Sequence, residues 1–181
     1  MIKRVLVSCA VLLAAAFIAC SGDSGTADLP QKPQIQTDRD SIVDRLFVGQ
    51  GRDQTLGVTN GGKDDLVVST LTLTATDPGL LNPLTLSDGG VITPFALKYN
   101  QLIDSSSNPD SGVVLSNTVK SNRTSFVALS FARPPPGMFQ AADGGIYKAT
   151  LTISSNAENS PTKVIALESW PNALPDGGHG P

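Results

Sequence analysis

The sequence predicts an all-β domain of about seven to nine antiparallel strands. Three observations predict it. Past residue 33, no run of about ten residues keeps a 3.6-residue apolar period without a breaker. Thr, Val, Leu and Ile alternate in short runs instead, which is the two-residue period of a half-buried strand. The chain holds 17 Gly and 13 Pro in 181 residues, so turn-forming residues stand between most of those runs.

In chain order, the first strands are expected at 34–37 and 42–48. The third is expected at 54–60, with Leu56 and Val58 on one face. Asn60-Gly61-Gly62 then turns the chain, because Asn and Gly accept positive φ at little cost. A long strand is expected at 66–76. Leu71, Leu73 and Ala75 share one face there, and Thr70, Thr72, Thr74 and Thr76 share the other. An apolar face backed by a threonine face suits an antiparallel sheet with one side in water.

Residues 77–90 are turn-rich, and Leu84 and Leu86 mark a short strand within them. Residues 91–104 mix apolar and polar positions around Pro94, and 105–112 read as a polar loop. Residues 113–119 are expected as one strand of an inserted hairpin. The last third is plainer. Residues 125–132 place Val127, Leu129 and Phe131 on one face, and Pro134-Pro135-Pro136 ends the strand because proline cannot donate to a ladder. Asp143-Gly144-Gly145 turns into a strand at 146–155, where Tyr147, Ala149, Leu151 and Ile153 alternate with Lys148, Thr150 and Thr152. A connection at 156–161 leads to the closing strand at 162–170, with Trp170 expected to cover the end of the core. This number of short strands fits a sandwich of immunoglobulin type.

The start of the chain has a different character. Lys3 and Arg4 precede an apolar run at 5–19, about 15 residues and shorter than the roughly 20 that span a bilayer. A positive start and a short apolar core make a secretory signal peptide. The run ends Phe17-Ile18-Ala19-Cys20, which resembles the lipobox of bacterial lipoproteins. The resemblance implies cleavage before Cys20, acylation of that cysteine, and, with non-acidic Ser21 next, an outer-membrane address. Plain secretion with a cut after Ser21 stays open, because Ala19 and Ser21 supply the small residues such a cut needs.

The expected organisation is therefore a signal peptide at 1–19, a lipidated Cys20 with a Ser/Gly/Asp-rich tether to 32, a sandwich at 33–170 with an insertion at 92–122, and a loose tail at 171–181. Loss of Lys3 and Arg4 takes the side-chain charge from −3 to about −5. No block of basic residues remains, which disfavours nucleic acid and anionic lipid as electrostatic partners. The two cysteines are Cys9, inside the signal, and Cys20, so the mature domain has no thiol for a disulfide or metal and must stand on its apolar core.

Three segments then line up with a known family. Leu56-Gly57-Val58-Thr59-Asn60-Gly61-Gly62-Lys63-Asp64-Asp65-Leu66 resembles its strand, Asn-x-Gly turn, polar pair and Leu. Phe126-Val127-Ala128-Leu129-Ser130-Phe131 resembles its V-x-F-x-P strand, with Pro134 one place later. Residues 145–161 (GIYKATLTISSNAENSP) resemble its G-x-Y-x-A-x-L-x-I-x-S-N-x-x-x-x-P hairpin. The family is the ASH (Hydin-like) domain, close to the bacterial choice-of-anchor D domains and related to the major-sperm-protein fold. The resemblance spans about residues 33–170. It implies an immunoglobulin-like sandwich with a binding or scaffolding role, and no catalytic residue.

The residues themselves offer little chemistry. His179 is the one histidine, in a Gly-rich tail, so a Ser–His hydrolase lacks a rigidly held base. Histidine- and cysteine-based metal sites fall with it, and no phosphate loop is present. The expectation is no catalytic residue, no cofactor and no metal. Asp104, Asp110 and Asp143 are candidates for a carboxylate-based hydrolase, read first as turn formers. Asn108, Asp110, Asp64 and Asp65 are candidate calcium oxygens, read first as solvated turns. Asn122-Arg123-Thr124 matches a glycosylation pattern that carries no weight behind a bacterial-type signal.

The expected function is a non-catalytic, lipid-anchored module that presents its surface to a protein partner at the cell envelope, through a sheet edge or the 92–122 loops. A glycan- or cell-wall-binding module is the alternative, and an aromatic content of 5% argues against it.

Overall fold

The computed structural model describes residues 29–107 and 112–172. The signal at 1–19, Cys20, most of the tether, Asp110 with its 108–111 turn, and the tail from 173 with His179 lie outside the described residues.

Among the described residues, thirteen strands and two single 3-10 turns make up the domain. Strands β1 (Ile35–Thr37) and β2 (Ser41–Leu46) flank Asp38-Arg39-Asp40. Two long strands follow, β3 (Gly51–Asn60) and β4 (Leu66–Ala75), and then the 3-10 turn Pro78–Leu81. Six short strands come next: β5 (Leu84–Thr85), β6 (Val91–Ile92), β7 (Phe95–Leu97), β8 (Leu102–Ile103), β9 (Leu115–Ser116) and β10 (Thr118–Val119). The chain closes with β11 (Thr124–Ala132), the turn Asp143–Gly145, β12 (Tyr147–Ser155) and β13 (Thr162–Pro171). The count exceeds the expected seven to nine because the middle third breaks into pieces of two or three residues.

Two sheets form an immunoglobulin-like β-sandwich. One has the order β1-β3-β11-β8-β9, with β7 also on β11, and the other has the order β10-β4-β12-β13-β2. Pairing is antiparallel except for β2 against β13, which run parallel. The chain changes sheet along each side of the sandwich. Residues 38–40 carry it from β1 to β2, and Asn117 carries it from β9 to β10. The second crossing corrects the single strand expected at 113–119. The Ser116 hydroxyl accepts from Thr118 N–H (3.0 Å) and donates to Thr118 C=O (3.1 Å), a local bond pair that bends the backbone. Asn117 C=O then accepts from Val68 N–H. The 92–122 region therefore supplies strands to both sheets.

The core lies where the alternation placed it. Val127, Leu129 and Phe131 of β11 face Tyr147, Ala149, Leu151 and Ile153 of β12, all buried. Phe95 stacks edge-on against Phe131 with ring centroids 5.3 Å apart. The β4 threonines Thr70, Thr72 and Thr74 are exposed, as expected. The inward phase of β4 slips once: Leu66 and Val68 point in, then Leu71, Leu73 and Ala75. A bulge makes the slip, with Ser155 opposite Val68 and Ser154 opposite Thr70. One extra residue moves the following side chains to the other face, so this apolar spacing demands it.

Asp77 ties the Pro78–Leu81 turn to the loop that precedes β12. One carboxylate oxygen accepts from Gly79 N–H (2.9 Å) and the other from Gln140 N–H (3.0 Å). These N–H groups, Gln140 first and Gly79 second, hold its carboxyl below the ordinary carboxylate range. A depressed carboxyl contributes stability that is present above its unfolded value and is lost as pH falls through its folded value. The tie is thus expected to hold at neutral pH and to release below about pH 4. Gly79 and Gln140 amide shifts should then titrate with one midpoint. Two separate midpoints would show that Asp77 does not join them.

Candidate functional site

The residues that carry the family resemblance do structural work. Asn60 is fully buried at the end of β3. Its Oδ1 accepts from Gly62 N–H (2.9 Å) and Gln34 N–H (3.3 Å), and its Nδ2 donates to Asp64 C=O (2.8 Å) and Val119 C=O (3.0 Å). One amide thus fills its hydrogen-bonding capacity. At Gly62 a Cβ would overlap the Lys32 carbonyl, so the N-terminal segment crosses this turn only because glycine is there. Asn159 acts likewise on β1: its side chain accepts from Ile35 N–H and donates to Ile35 C=O, both at 2.9 Å. Asn156 accepts from Val67 N–H at 2.7 Å. Asn60 and Asn159 thus clasp the first strand to the body, and Asn156 ties the connection after β12 to the start of β4.

The exposed surface that remains is an edge. β2 is the outer strand of its sheet. Ala166 N–H donates to Asp40 C=O and Asn172 N–H donates to Leu46 C=O. In a parallel ladder this phase gives the even-numbered residues of β2 to β13. The N–H and C=O of Ser41, Val43 and Arg45 then point away from the sheet. Val43, Phe47 and Val48 are exposed along the same edge, at 49%, 42% and 53%. Inward, Ile42 and Leu46 are buried, and between them so is Asp44. Arg52 Nη1 and Gln54 Nε2, from β3 of the facing sheet, each donate to Asp44 at 3.0 Å. The seam between the sheets is therefore closed here by a charge-assisted clasp. β1 covers β3 only over Val58–Asn60, so Gly51–Leu56 adds a second uncovered edge beside β2.

Two of the carboxylate candidates, Asp104 and Asp143, do not converge. Asp104 lines a hollow of about 230 Å³ with Ser106, Lys120, Arg123 and Ser125. Its Oδ1 accepts from Ser106 N–H at 2.7 Å. That bond, then the Ser106 hydroxyl, hold its carboxyl below the ordinary range, and Arg123 adds to the effect. Asp143 begins the turn before β12. That turn meets Arg133 beyond the far end of β11, whereas β8 joins β11 near its start, so the two acids lie roughly 20 Å apart. Asp110 lies outside the described residues. Asp64 accepts from Gln31 Nε2 and Asp65 pairs with Lys120, so the first of these candidate calcium oxygens is engaged by an amide and the second by an ammonium. Among the described residues, no group of three or more His, Cys, Asp or Glu could hold a metal. Trp170 does not cap the core: it alternates with buried Leu167 and Ser169 and faces outward, under Arg45 with 5.3 Å from guanidinium carbon to ring centroid. Its indole N–H donates to Glu168 at 2.7 Å.

Arg133 is the residue the sequence reading missed. It stands between the strand expected at 125–132 and three prolines, with no pattern that assigns it a role. Its side chain is buried, with 4% of the residue exposed. Nη1 donates to Ser169 C=O (3.0 Å) and Nη2 to Gly145 C=O (2.7 Å), while the guanidinium stacks 5.0 Å from the Tyr147 ring centroid. Burial pushes its pKa down from the ordinary arginine value. The available signal was a lone arginine in a run of apolar and proline residues. It lines a cleft of about 400 Å³ with Leu46, Phe47, Val48, Pro136 and Pro171, at the end of the sandwich where β13 finishes.

No family model matches the chain, and no curated protein matches it. Similar solved structures include the ASH / PapD-like domain 7 of human CEP192, at 15% identity, with 81% of this chain and 90% of that one covered and a TM-score of 0.43. A protein of unknown function from Porphyromonas gingivalis W83 is 10% identical over 82% of this chain and 51% of its own, with a TM-score of 0.46. The periplasmic chaperone SfaE is 10% identical over 78% of this chain and 60% of its own, with a TM-score of 0.42. The chain thus spans about half of the first of these last two and three fifths of the second. The sheet order and registers, and not these likenesses, establish the sandwich.

Proposed function

We propose that this chain is a non-catalytic ASH-type module that binds a protein partner by strand addition to β2, and that a lipid on Cys20 displays it at the cell envelope. The observation that carries the binding reading is the free edge of β2, with Val43, Phe47 and Val48 exposed along it. An added strand would gain main-chain hydrogen bonds from residues 41, 43 and 45 and apolar contact from the flanking side chains. The family resemblance and the signal-like start support the remainder of the proposal.

Val43→Pro tests the edge. It removes an outward N–H without touching the ladder to β13, a place where an edge strand tolerates proline. With a photocrosslinker at Arg45 in intact cells, crosslinks to a partner are expected in the parent and lost in Val43→Pro at an unchanged melting temperature. Crosslinks that persist in the variant would refute strand addition. The anchor is tested separately. Cys20→Ala is expected to move the protein from the membrane to the soluble fraction, and unchanged membrane association would reject the lipid.

A further inference from the structure

The structure assigns a second binding site, which adjoins the β2 edge at Phe47 and Val48: the cleft over Arg133 accepts a small apolar monocarboxylate, about the size of a medium-chain fatty acid. Two observations meet there. The first is a buried cation that no anion among the described residues meets. Arg133 donates to two backbone carbonyls and stacks on a phenol ring, and it forms no ion pair among the described residues. Those bonds use two of its five N–H donors. A charge taken out of water is costly unless an opposite charge meets it.

The second observation is the shape and lining of the cleft. Its volume of about 400 Å³ falls within the range of small-molecule sites, roughly 300–1,000 Å³. Apart from Arg133 and Asn172, the walls are Leu46, Phe47, Val48, Pro136 and Pro171. These walls offer a desolvated tail a place, and they offer no second cation. A doubly charged phosphate would therefore bring one charge more than the site can meet. A carboxylate brings one, in the planar geometry that a guanidinium matches.

The test is a titration of the full chain with octanoate, followed by amide and Arg133 side-chain shifts, with octanamide and inorganic phosphate as comparison probes. Saturable shifts at Arg133, Val48 and Asn172 are expected with octanoate. Affinity should be at least tenfold weaker for octanamide, and phosphate should have no effect. Phe47→Asp places a like charge on the rim, leaves Arg133 in place, and should weaken octanoate at least tenfold. Octanoate that does not saturate by about 10 mM, a binding free energy of only about −2.7 kcal/mol, would overturn the assignment. So would equal binding of octanamide. If octanoate binds only after removal of residues 173–181, the natural occupant is the chain's own end, and the external ligand is wrong.

Discussion

Asn60→Ala is expected to destabilise the domain by about 2–4 kcal/mol in urea unfolding at pH 7. The size follows from the geometry. One fully buried amide serves four backbone groups, from Gln34, Gly62, Asp64 and Val119. Each bond contributes about 1 kcal/mol net, and a group left buried without a partner costs more than that. Val119 is itself buried, so water cannot easily replace the amide at its carbonyl. Asn60→Asp sharpens the test, because it keeps the volume and turns two donors into an acceptor aimed at two carbonyls. Burial and those carbonyls raise the new carboxyl's pKa, so it is neutral in the fold at a pH where it is ionised in the unfolded chain. The sign is fixed: the variant's deficit against the parent should shrink as pH falls from 7 to 5. A loss under about 0.5 kcal/mol for Asn60→Ala would place it with ordinary surface changes and refute the hub.

Leu151→Ala is expected to cost about 2–5 kcal/mol, with an unchanged denaturant slope. Leu151 is fully buried in the middle of β12, opposite Leu73 of β4 and Ile165 of β13. Residues 29–172 contain no cysteine, so no disulfide shares the burden. With total stabilities of about 5–15 kcal/mol for such domains, one cavity here removes a large share. Thr72→Ala, on the wet face of β4, is the internal comparison and should stay within about 0.5 kcal/mol. Equal effects at the two positions would mean that the threonine face is not the outer one.

The long strands were legible because their length repeats the signal. Nine or ten alternating residues in β11, β12 and β13, and the run from Leu71 to Ala75 past the bulge in β4, leave little choice of face. The turn at Asn60-Gly61-Gly62 was legible from its residue types. Strands of two residues such as β8, β9 and β10 have no period to read, and a crossing such as Asn117 is fixed by tertiary pairing. The parallel pairing of β2 with β13 joins residues more than 120 apart in sequence, which no local pattern encodes. Asp44 could have been found, since Ile42, Asp44 and Leu46 share a face and an acid flanked by two inward apolar residues needs a partner. Its partners Arg52 and Gln54 stand on the inward phase of β3, ahead of Leu56. Arg133 was not legible, because the prolines after it account for the end of the strand and its burial depends on Ser169 and Gly145, distant in sequence.

The parallel ladder of β2 on β13 has a mechanical consequence. The described chain enters near the Asn60 turn and leaves beside the Arg133 cleft, so its two termini sit at opposite poles. Tension between them runs along the strands and loads the six residue pairs from Ser41↔Ala166 to Leu46↔Pro171 in shear. These pairs must yield together, whereas a hairpin pulled open at its free tips would unzip one pair at a time. A domain built this way resists tension between residues 29 and 172 without its β2–β13 ladder unzipping pair by pair.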